Sequence, residues 1–294
     1  MERISLEVET PDGRTLDVEV AGPEDGDVVL YHTGTPSDGS LYESLLEAGA
    51  ERGLRHVCYC RPGYAGSDRQ PGRSVADCVG DVSAIADHLG IERFYTAGQS
   101  GGGPHALACA ALLGDRVIAA ATTASSAPRD AEGLDWLAGM GEENLQEFAA
   151  YEAGEDTLRE FIETEAEKYR SVTAEQVIDA LGDLISAPDR AALEGGFAEF
   201  QAQSLRTSLS SGIWGWFDDD LAELDGWGFD LAEIQVPVTI WQGEDDRMVP
   251  FAHGKWLSEN VPGAKARLLS GEGHVSLRLH RYGDVLDDLI ASRG

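Results

Sequence analysis

The residues 94–113, FYTAGQSGGGPHALACAALL, change their pattern abruptly at a serine flanked by glycines. Residues 94–97 are aromatic, β-branched or small and carry no charge, which is typical of a strand buried on both faces. Residues 104–113 are good helix formers, and Gly114 closes the run. The sequence therefore predicts a buried strand and a helix joined by a very short, glycine-rich turn.

The turn itself, Gly98-Gln99-Ser100-Gly101-Gly102, matches the pattern G-x-S-x-G. A sharp strand-to-helix turn forces its central residue into strained backbone geometry and lifts that side chain out of the sheet. The same turn puts the Gly101 amide at a helix N-terminus, where partial positive charge can meet an oxyanion. The alternative is an ordinary glycine-rich loop, because a bare match to this pattern is common by chance. The flanking strand and helix favour a nucleophilic serine.

Composition limits the class of protein and its partners. The chain has 294 residues, which is enough for one large α/β domain with an inserted subdomain, and its formal net charge is −31. That charge argues against nucleic-acid binding and against anionic membrane surfaces. The N-terminal residues have no apolar signal core, and the four cysteines have no metal-ligand spacing. We therefore expect a cytoplasmic protein with reduced cysteines, acting as a monomer or homodimer without a membrane partner.

Strand-like and helix-like segments alternate along most of the chain. Residues 4–9 and 15–20 alternate apolar and acidic side chains around a Pro-Asp-Gly turn, which predicts a hairpin with one wet face. The further predicted strands are residues 27–32, 54–60, 94–97, 117–123, 236–241 and 266–269, and the helices between them are 41–52, 75–89, 104–113, 251–260 and 276–290. This alternation predicts an α/β fold with a mostly parallel, eight-stranded sheet and helices on both faces.

The alternation stops after Pro128. Residues 129–230 contain no convincing strand and predict acidic helices over 142–153, 156–170, 173–186 and 188–208. An aromatic cluster of Trp214, Trp216, Phe217 and Trp227 follows them. We therefore divide the chain into an α/β core, residues 1–128 and 231–294, and a helical cap, residues 129–230. The cap is expected to lie over a site at the carboxyl ends of the strands.

A serine hydroxyl needs a positioned base to act as a nucleophile at neutral pH, and that base needs an acid to orient it. His274, in the glycine-rich loop after the last predicted strand, is the preferred base among the seven histidines. His32 ends a strand and is expected to brace the loop that follows. The acid loop after the preceding strand offers Glu244, Asp245 and Asp246, and spacing alone leaves this choice open.

Taken together, these motifs resemble the α/β-hydrolase superfamily, and the resemblance covers essentially all of the chain outside the cap. It implies Ser100 as nucleophile, Asp246 as acid in the loop G-x-x-D-x-x-V-P (residues 243–250), and His274 as base in the loop G-x-G-H. Asp245 and Asp130 remain fallbacks for the acid. The segment His-Thr-Gly-Thr-Pro at 32–36 resembles the family's oxyanion loop, which implies oxyanion donors at the amides of Thr35, or less favourably Gly34, beside Gly101.

One motif departs from the family. Residues 61–67, RPGYAGS, resemble the structural turn D-x-P-G-x-G-x-S, except that Cys60 stands where aspartate is usual. Haloalkane dehalogenases and epoxide hydrolases of this fold carry a carboxylate at the position of the nucleophile in the strand-to-helix turn. The serine at position 100 argues for acyl chemistry instead. The departure at Cys60 concerns packing and pocket shape more than mechanism.

The resemblance implies a serine hydrolase that acts on a small, largely apolar ester, lactone, thioester or amide, without metal or cofactor. The predicted pocket residues are His32, Gln99, Trp214 and Trp216. Three alternatives stay open, because a fold does not fix a function. They are a C–C bond hydrolase or other non-hydrolytic enzyme on the same triad, a non-catalytic ligand-binding protein, and an α/β domain without a site.

Overall fold

The computed structural model of the chain describes residues 2–293 and contains one sheet of eight strands. The strands are β1 (Arg3–Glu9), β2 (Thr15–Ala21), β3 (Asp27–His32), β4 (Leu54–Tyr59), β5 (Phe94–Gln99), β6 (Val117–Thr123), β7 (Val238–Gly243) and β8 (Lys265–Leu269). Their order in the sheet is β1-β2-β4-β3-β5-β6-β7-β8. Only β2 runs antiparallel to its neighbours, and the other pairs are parallel. The predicted mostly parallel, eight-stranded sheet is confirmed.

The polarity of each strand reflects its place in the sheet. In β2, the apolar Leu16, Val18 and Val20 are buried and alternate with acidic residues on the wetter face. All six residues of β5 and of β7 are buried, which fits their uncharged sequences. The central strand β3 lies between β4 and β5, so the strand order reverses there. Such a reversal leaves a crevice at the carboxyl ends of the two strands.

Helices cover both faces of the sheet. The helices are α1 (Glu43–Ala50), α2 (Cys78–His88), α3 (Gly103–Leu112), α4 (Glu142–Glu152), α5 (Glu155–Tyr169), α6 (Val177–Leu181), α7 (Ala187–Ala192), α8 (Gly195–Ser208), α9 (Trp214–Leu224), α10 (Phe251–Asn260) and α11 (His274–Ala291). Apolar residues of α2, α3 and α10 pack in one core cluster with one face of the sheet. Those of α1 and α11 pack in a second cluster with the other face.

The segment between β6 and β7 has no strand among the described residues and contains α4 to α9. It has its own apolar cluster, which includes Leu158, Ile162, Phe197 and Leu205 and reaches Val275 at the start of α11. The cap boundaries at residues 129 and 230 remain a prediction. Among the described residues, no helix is long and apolar enough to cross a membrane.

Four local predictions for this segment are wrong. The helix expected over residues 188–208 is two helices, α7 and α8, because Gly195 begins α8 at a φ of +54°, which breaks the helical backbone there. The helix expected over 173–186 is shortened to α6 and a 3₁₀ turn. Residues 214–224 form α9, although the sequence suggested only an aromatic cluster there. Trp227 packs against Phe229 in the sheet-side core and not with Trp216.

Candidate active site

Ser100 occupies the sharp turn between β5 and α3. Its φ is +56°, in the left-handed region that non-glycine residues rarely adopt. The two glycines around it are required by close backbone contacts. A Cβ at Gly98 would lie 2.1 Å from the carbonyl oxygen of Gly102, and a Cβ at Gly102 would lie 2.2 Å from that of His32. The strained turn thereby presents the Ser100 side chain to the crevice beside β3.

His274 begins α11 and lies buried at the same edge of the sheet. Its Nδ1 lies 2.9 Å from Oδ2 of Asp246, which follows β7. The backbone N–H groups of Met248 and Val249 donate to Asp246 Oδ1 at 2.9 and 2.8 Å. Asp246 is almost fully buried, whereas Asp245 is exposed. The structure thus brings Asp246, and not Asp245, to His274.

A carboxylate from the helical segment fixes the start of α11. Asp189, in α7, is fully buried and accepts hydrogen bonds from the N–H groups of His274, Val275 and Ser276 at 3.2, 2.8 and 3.0 Å. A Cβ at Gly273 would lie 2.4 Å from Asp189 Oδ2, so this carboxylate also requires a glycine before the histidine. The sequence showed only that Asp189 lies near a helix start. Its partner His274 lies 85 residues further along the chain, so no local sequence pattern indicates that the two residues meet.

Hydrogen bonding fixes the tautomer of His274. The Arg278 Nη1 group donates to Gln99 Oε1 at 3.1 Å. Because arginine only donates, the Gln99 amide must turn its NH₂ group toward His274, where its Nε2 lies 3.1 Å from the ring Nε2. His274 Nε2 is therefore the acceptor, and Nδ1 carries the proton donated to Asp246. Ser100 Oγ has no hydrogen-bond partner among residues 2–293 in this arrangement.

The loop after β3 lies directly against Gly101. A Cβ at Gly101 would lie 2.5 Å from Thr35 Oγ1, and one at Gly34 would lie 3.1 Å from the Ser100 Cβ. The Thr35 N–H makes no hydrogen bond to any residue of 2–293, so it is free to donate to a ligand. The Nδ1 of His105 lies 2.9 Å from the Gly101 carbonyl oxygen and braces the peptide behind the turn. Burial, together with Arg61, lowers the pKa of His105 to about 3, so this ring is neutral.

A buried ionic cluster anchors this loop to the helical segment. Arg61 donates to the carbonyl oxygens of Thr33 and Gly34 and to Thr35 Oγ1. Arg61 and Arg73 both pair with Asp219 of α9, at 2.6 Å each. Burial by itself raises the pKa of Asp219, but the two guanidinium groups outweigh it and hold that pKa far below the usual range. Thr35 Oγ1 also donates to Asp219, at 2.8 Å.

A cavity of about 220 Å³ opens above these groups. We call the lining residues at strand ends and at the start of α11 the floor: Gly34, Thr35, Gln99, Ser100, Gly101 and His274. We call the lining residues of α4 to α9 the helical wall: Asn144, Glu147, Phe148, Tyr169, Leu181, Phe200, Gln201, Ser204, Leu205, Trp216, Asp220, Glu223 and Leu224.

Two of the predicted pocket residues, Gln99 and Trp216, line the cavity, and two do not. Trp214 points away from it, is 38% exposed and lies under the guanidinium of Arg69, 3.9 Å from the ring centroid. His32 is buried behind the floor, with its Nε2 3.6 Å from the Cys109 sulfur. The prediction for Trp214 is wrong because α9 was not predicted. In a helix, residues 214 and 216 point in different directions, so only Trp216 reaches the cavity.

The helical wall contains a carboxyl cluster of Glu147, Asp220 and Glu223, which the sequence analysis missed. Burial raises the pKa of Glu147 to about 7, and burial together with Glu147 raises that of Asp220 well above its usual range. No described donor reaches Asp220 Oδ2, which fits a protonated Asp220 that donates to Glu147. Burial also raises the pKa of Glu223, whose Oε1 accepts from Ser126. The helical wall is therefore less negative than its residue types suggest.

Comparison with known proteins identifies the family. The family model described as alpha/beta hydrolase fold matches residues 27–280. The chain is 25% identical over 272 residues, 91% of this chain and 92% of the other, to a bifunctional esterase/perhydrolase of Acinetobacter calcoaceticus. It is 27% identical over 265 residues, 84% and 80% of the two chains, to a 2-hydroxy-6-oxo-6-phenylhexa-2,4-dienoate hydrolase of Comamonas testosteroni.

A solved structure supports the same fold. The bromoperoxidase from Bacillus anthracis superposes with a TM-score of 0.73 at 21% identity, over 98% of this chain and all of that one. The eight-stranded sheet, its strand order and the family match agree. The chain belongs to the α/β-hydrolase family and is a hydrolase.

Proposed function

We propose that this hydrolase cleaves a small ester, lactone, thioester or amide through an acyl-enzyme on Ser100. The observation that carries the proposal is the 2.9 Å contact of Asp246 with His274 Nδ1, together with the pocket that His274 and Ser100 both line. With Nδ1 protonated, the ring presents the lone pair of Nε2 to the floor. A serine beside such a base is the arrangement that nucleophilic acyl transfer requires.

The steps follow from this arrangement. His274 Nε2 takes the Ser100 proton as Oγ attacks the carbonyl carbon, which requires the Gln99 amide to release that nitrogen. The carbonyl oxygen becomes an oxyanion, which accepts from the N–H groups of Gly101 and Thr35. His274 then returns the proton to the leaving group, and the acyl-serine remains. Water attacks the ester with His274 as base, and Asp246 keeps the ring in its tautomer throughout.

We also propose that residues 129–230 act as a cap that selects the substrate. Residues 129–230 supply most of the apolar lining, including Trp216 and Phe200, whereas the floor supplies the reacting groups. This division supports a pocket in which the cap can diverge while the chemistry is retained. A cytoplasmic location is part of the same proposal and is tested by fractionating cells that produce the protein.

Labelling with a fluorophosphonate probe tests the serine assignment. The wild-type protein should form a one-to-one adduct on Ser100, because an ordinary serine hydroxyl does not react at neutral pH. The adduct and the turnover of p-nitrophenyl acetate should both vanish in Ser100→Ala and fall sharply in His274→Ala. Intact-mass spectrometry and peptide mapping locate the adduct, and circular dichroism confirms that both variants fold. Failure of the folded wild type to react with several such probes would remove the proposal.

A second candidate reaction is the hydrolysis of a C–C bond on the same three residues. The name of the Comamonas relative, a dienoate hydrolase, is the observation that favours it. Turnover of simple aryl esters by the wild type, with a full burst of one p-nitrophenolate per site, supports the proposal that the enzyme cleaves esters through an acyl-enzyme. An adduct without any turnover would instead indicate a ligand-binding protein or an enzyme with a special acyl acceptor.

A further inference from the structure

Arg278 is a buried cation that the proposed acyl chemistry does not use. It lies one turn after His274 in α11, its exposed fraction is 9%, and it lines the pocket. Among residues 2–293, no other arginine or lysine lines this pocket. Its position one turn beyond the candidate base places a permanent positive charge beside the reacting groups.

The described residues give Arg278 no anionic partner. Its Nη1 and Nη2 donate to the neutral side-chain oxygens of Gln99 and Gln201, at 3.1 and 3.3 Å. Its Nε is buried without a hydrogen-bond partner, and its guanidinium lies 5.3 Å from the centroid of the Phe197 ring. No carboxylate among residues 2–293 makes an ion pair with it, although the chain has 53 acidic residues.

Other buried arginines of the chain show the contrast. Arg61 and Arg73 are as buried as Arg278, and both pair with Asp219 at 2.6 Å. Burying a charge without an opposite charge is costly, and burial lowers the pKa of Arg278 accordingly. An anion delivered into the pocket would offset that cost, and a carboxylate matches the planar fork of free N–H groups.

We propose that Arg278 binds a carboxylate of the substrate, so that the natural substrate is an acyl compound with a free carboxylate close to the scissile bond. This inference rests on the proposed function of the site. Gln99 makes hydrogen bonds to both Arg278 and His274, so a carboxylate at Arg278 lies only a short linker away from the reacting carbonyl. The same carboxylate competes with Gln99 for the guanidinium and thereby frees the amide that holds His274 Nε2.

The carboxyl cluster of the helical wall does not oppose this assignment. Glu147 and Glu223 contact Trp216 and Ser126, whereas Arg278 contacts Gln99, Gln201 and Phe197. The cluster and the cation therefore hold different partners around the cavity and form no ion pair with each other within residues 2–293. The pKa of Glu147, which burial raises to about 7, also keeps part of the cluster's charge neutralised near neutral pH.

Binding of glutarate and of its neutral analogue glutaramide to Ser100→Ala tests the inference without turnover. Isothermal titration calorimetry should show glutarate binding more tightly than glutaramide. Arg278→Met should weaken glutarate roughly 10- to 100-fold, as expected for losing hydrogen bonds to a charged group, and leave glutaramide unchanged. Arg278→Lys should retain part of the preference. Arg52→Met is the matched control, because Arg52 pairs with Asp287 on the solvent side of α11 and its loss changes the net charge equally.

The outcomes separate the two proposals. If the wild type hydrolyses p-nitrophenyl acetate but Ser100→Ala binds glutarate no better than glutaramide, the carboxylate inference is overturned and the serine hydrolase stands. This comparison does not need the Arg278 variants to fold. If Arg52→Met weakens glutarate as much as Arg278→Met does, the effect is one of overall charge and the assignment to Arg278 fails. Selective glutarate binding with no turnover by the wild type would leave the binding site standing and remove the acyl chemistry.

Discussion

The floor and the helical wall of the pocket satisfy their polar groups in different ways. Directly behind the floor, Asp246 accepts two backbone N–H groups and faces His274, so its oxygens are fully hydrogen-bonded within the core. On the helical wall, Glu147 and Asp220 lie side by side without a cation among the described residues, and burial raises the pKa of both carboxyl groups. The floor is thus organised around fixed hydrogen bonds that orient His274. The helical wall instead carries carboxyl groups with raised pKa values, so its charge depends on pH.

The helical segment and the core depend on each other through two buried carboxylates. Asp189 and Asp219, both from the helical segment, hold the start of α11 and the loop after β3. Each is buried and pairs with groups of the core. The helical segment and the core therefore have different chemical roles, but residues of the helical segment hold the catalytic elements in place. Substitutions can distinguish a chemical role from a positioning role.

The largest expected effect is at Asp246, the carboxylate behind the floor. Asp246→Asn should lower kcat for p-nitrophenyl acetate by about 10⁴, because an amide no longer selects the correct His274 tautomer or stabilises its cation. Asp245→Asn, one residue away and exposed, is the control and should have little effect. Steady-state kinetics on both variants measure the difference. A large loss in Asp245→Asn with little loss in Asp246→Asn would mean that the acid is the other residue.

The next effect concerns Asp189, which joins the two regions. Asp189→Ala leaves the N–H groups of His274, Val275 and Ser276 without their acceptor, which should cost about 3 kcal/mol of unfolding free energy. Because α11 carries His274 at its first position, kcat should also fall while KM changes little. Urea denaturation and steady-state kinetics measure the two effects.

Asp189→Asn and Asp179→Asn complete that experiment. Asp189→Asn keeps one acceptor oxygen and should recover part of both losses. Asp179 is exposed on α6, so its replacement should change neither quantity. A loss of stability in Asp189→Ala with kcat unchanged would assign this carboxylate a purely structural role.

Most of the floor could be predicted from the sequence because it is built from local signals. The turn around Ser100 follows from five adjacent residues, and the loops with Asp246 and His274 each follow a recognisable strand. Asp189 and Arg278 could not be predicted, because their significance lies in contacts with residues far along the chain.

The helices that form the helical wall were predicted less well for a different reason. Its helices carry glycines inside or beside them, which sequence rules treat as breaks. Gly215, in the first turn of α9, is one example: a Cβ there would lie 2.5 Å from the Tyr64 ring, so packing against the core selects the glycine. A tertiary contact of this kind outweighs helix propensity and hides the helix from pattern reasoning.

A third prediction addresses the pH dependence of the helical wall. The pKa of Glu147 is raised from 4.5 to about 7 in the folded protein, so folding takes up a proton between these values. Stability from this group is complete below pH 4.5 and is lost as the pH rises through about 7. Glu147→Gln should therefore reduce the loss of unfolding free energy between pH 5 and pH 8, by on the order of 2 kcal/mol.

Urea denaturation at several pH values measures this dependence. Glu142→Gln is the matched control, since Glu142 lies exposed on the same helix and should leave the wild-type profile unchanged. Parallel profiles for wild type and Glu147→Gln would show that the carboxyl pair does not titrate in this range.

The smallest expected effect compares two tryptophans of α9. Trp216 lines the cavity and donates to Glu147 Oε1 at 2.7 Å, whereas Trp214 stacks outside it under Arg69. Trp216→Leu enlarges the pocket and should shift the ratio of kcat/KM values between p-nitrophenyl butyrate and acetate several-fold, about 1 kcal/mol in relative transition-state energy. Trp214→Leu should leave this ratio unchanged, because it removes only contacts outside the cavity, with Arg69 and Phe217. Equal shifts in both variants would mean that the helical wall controls selectivity through the stability of α9 as a whole. In that case the cavity shape around Trp216 would not be the determinant, and the separation of floor and helical wall would have to be redrawn.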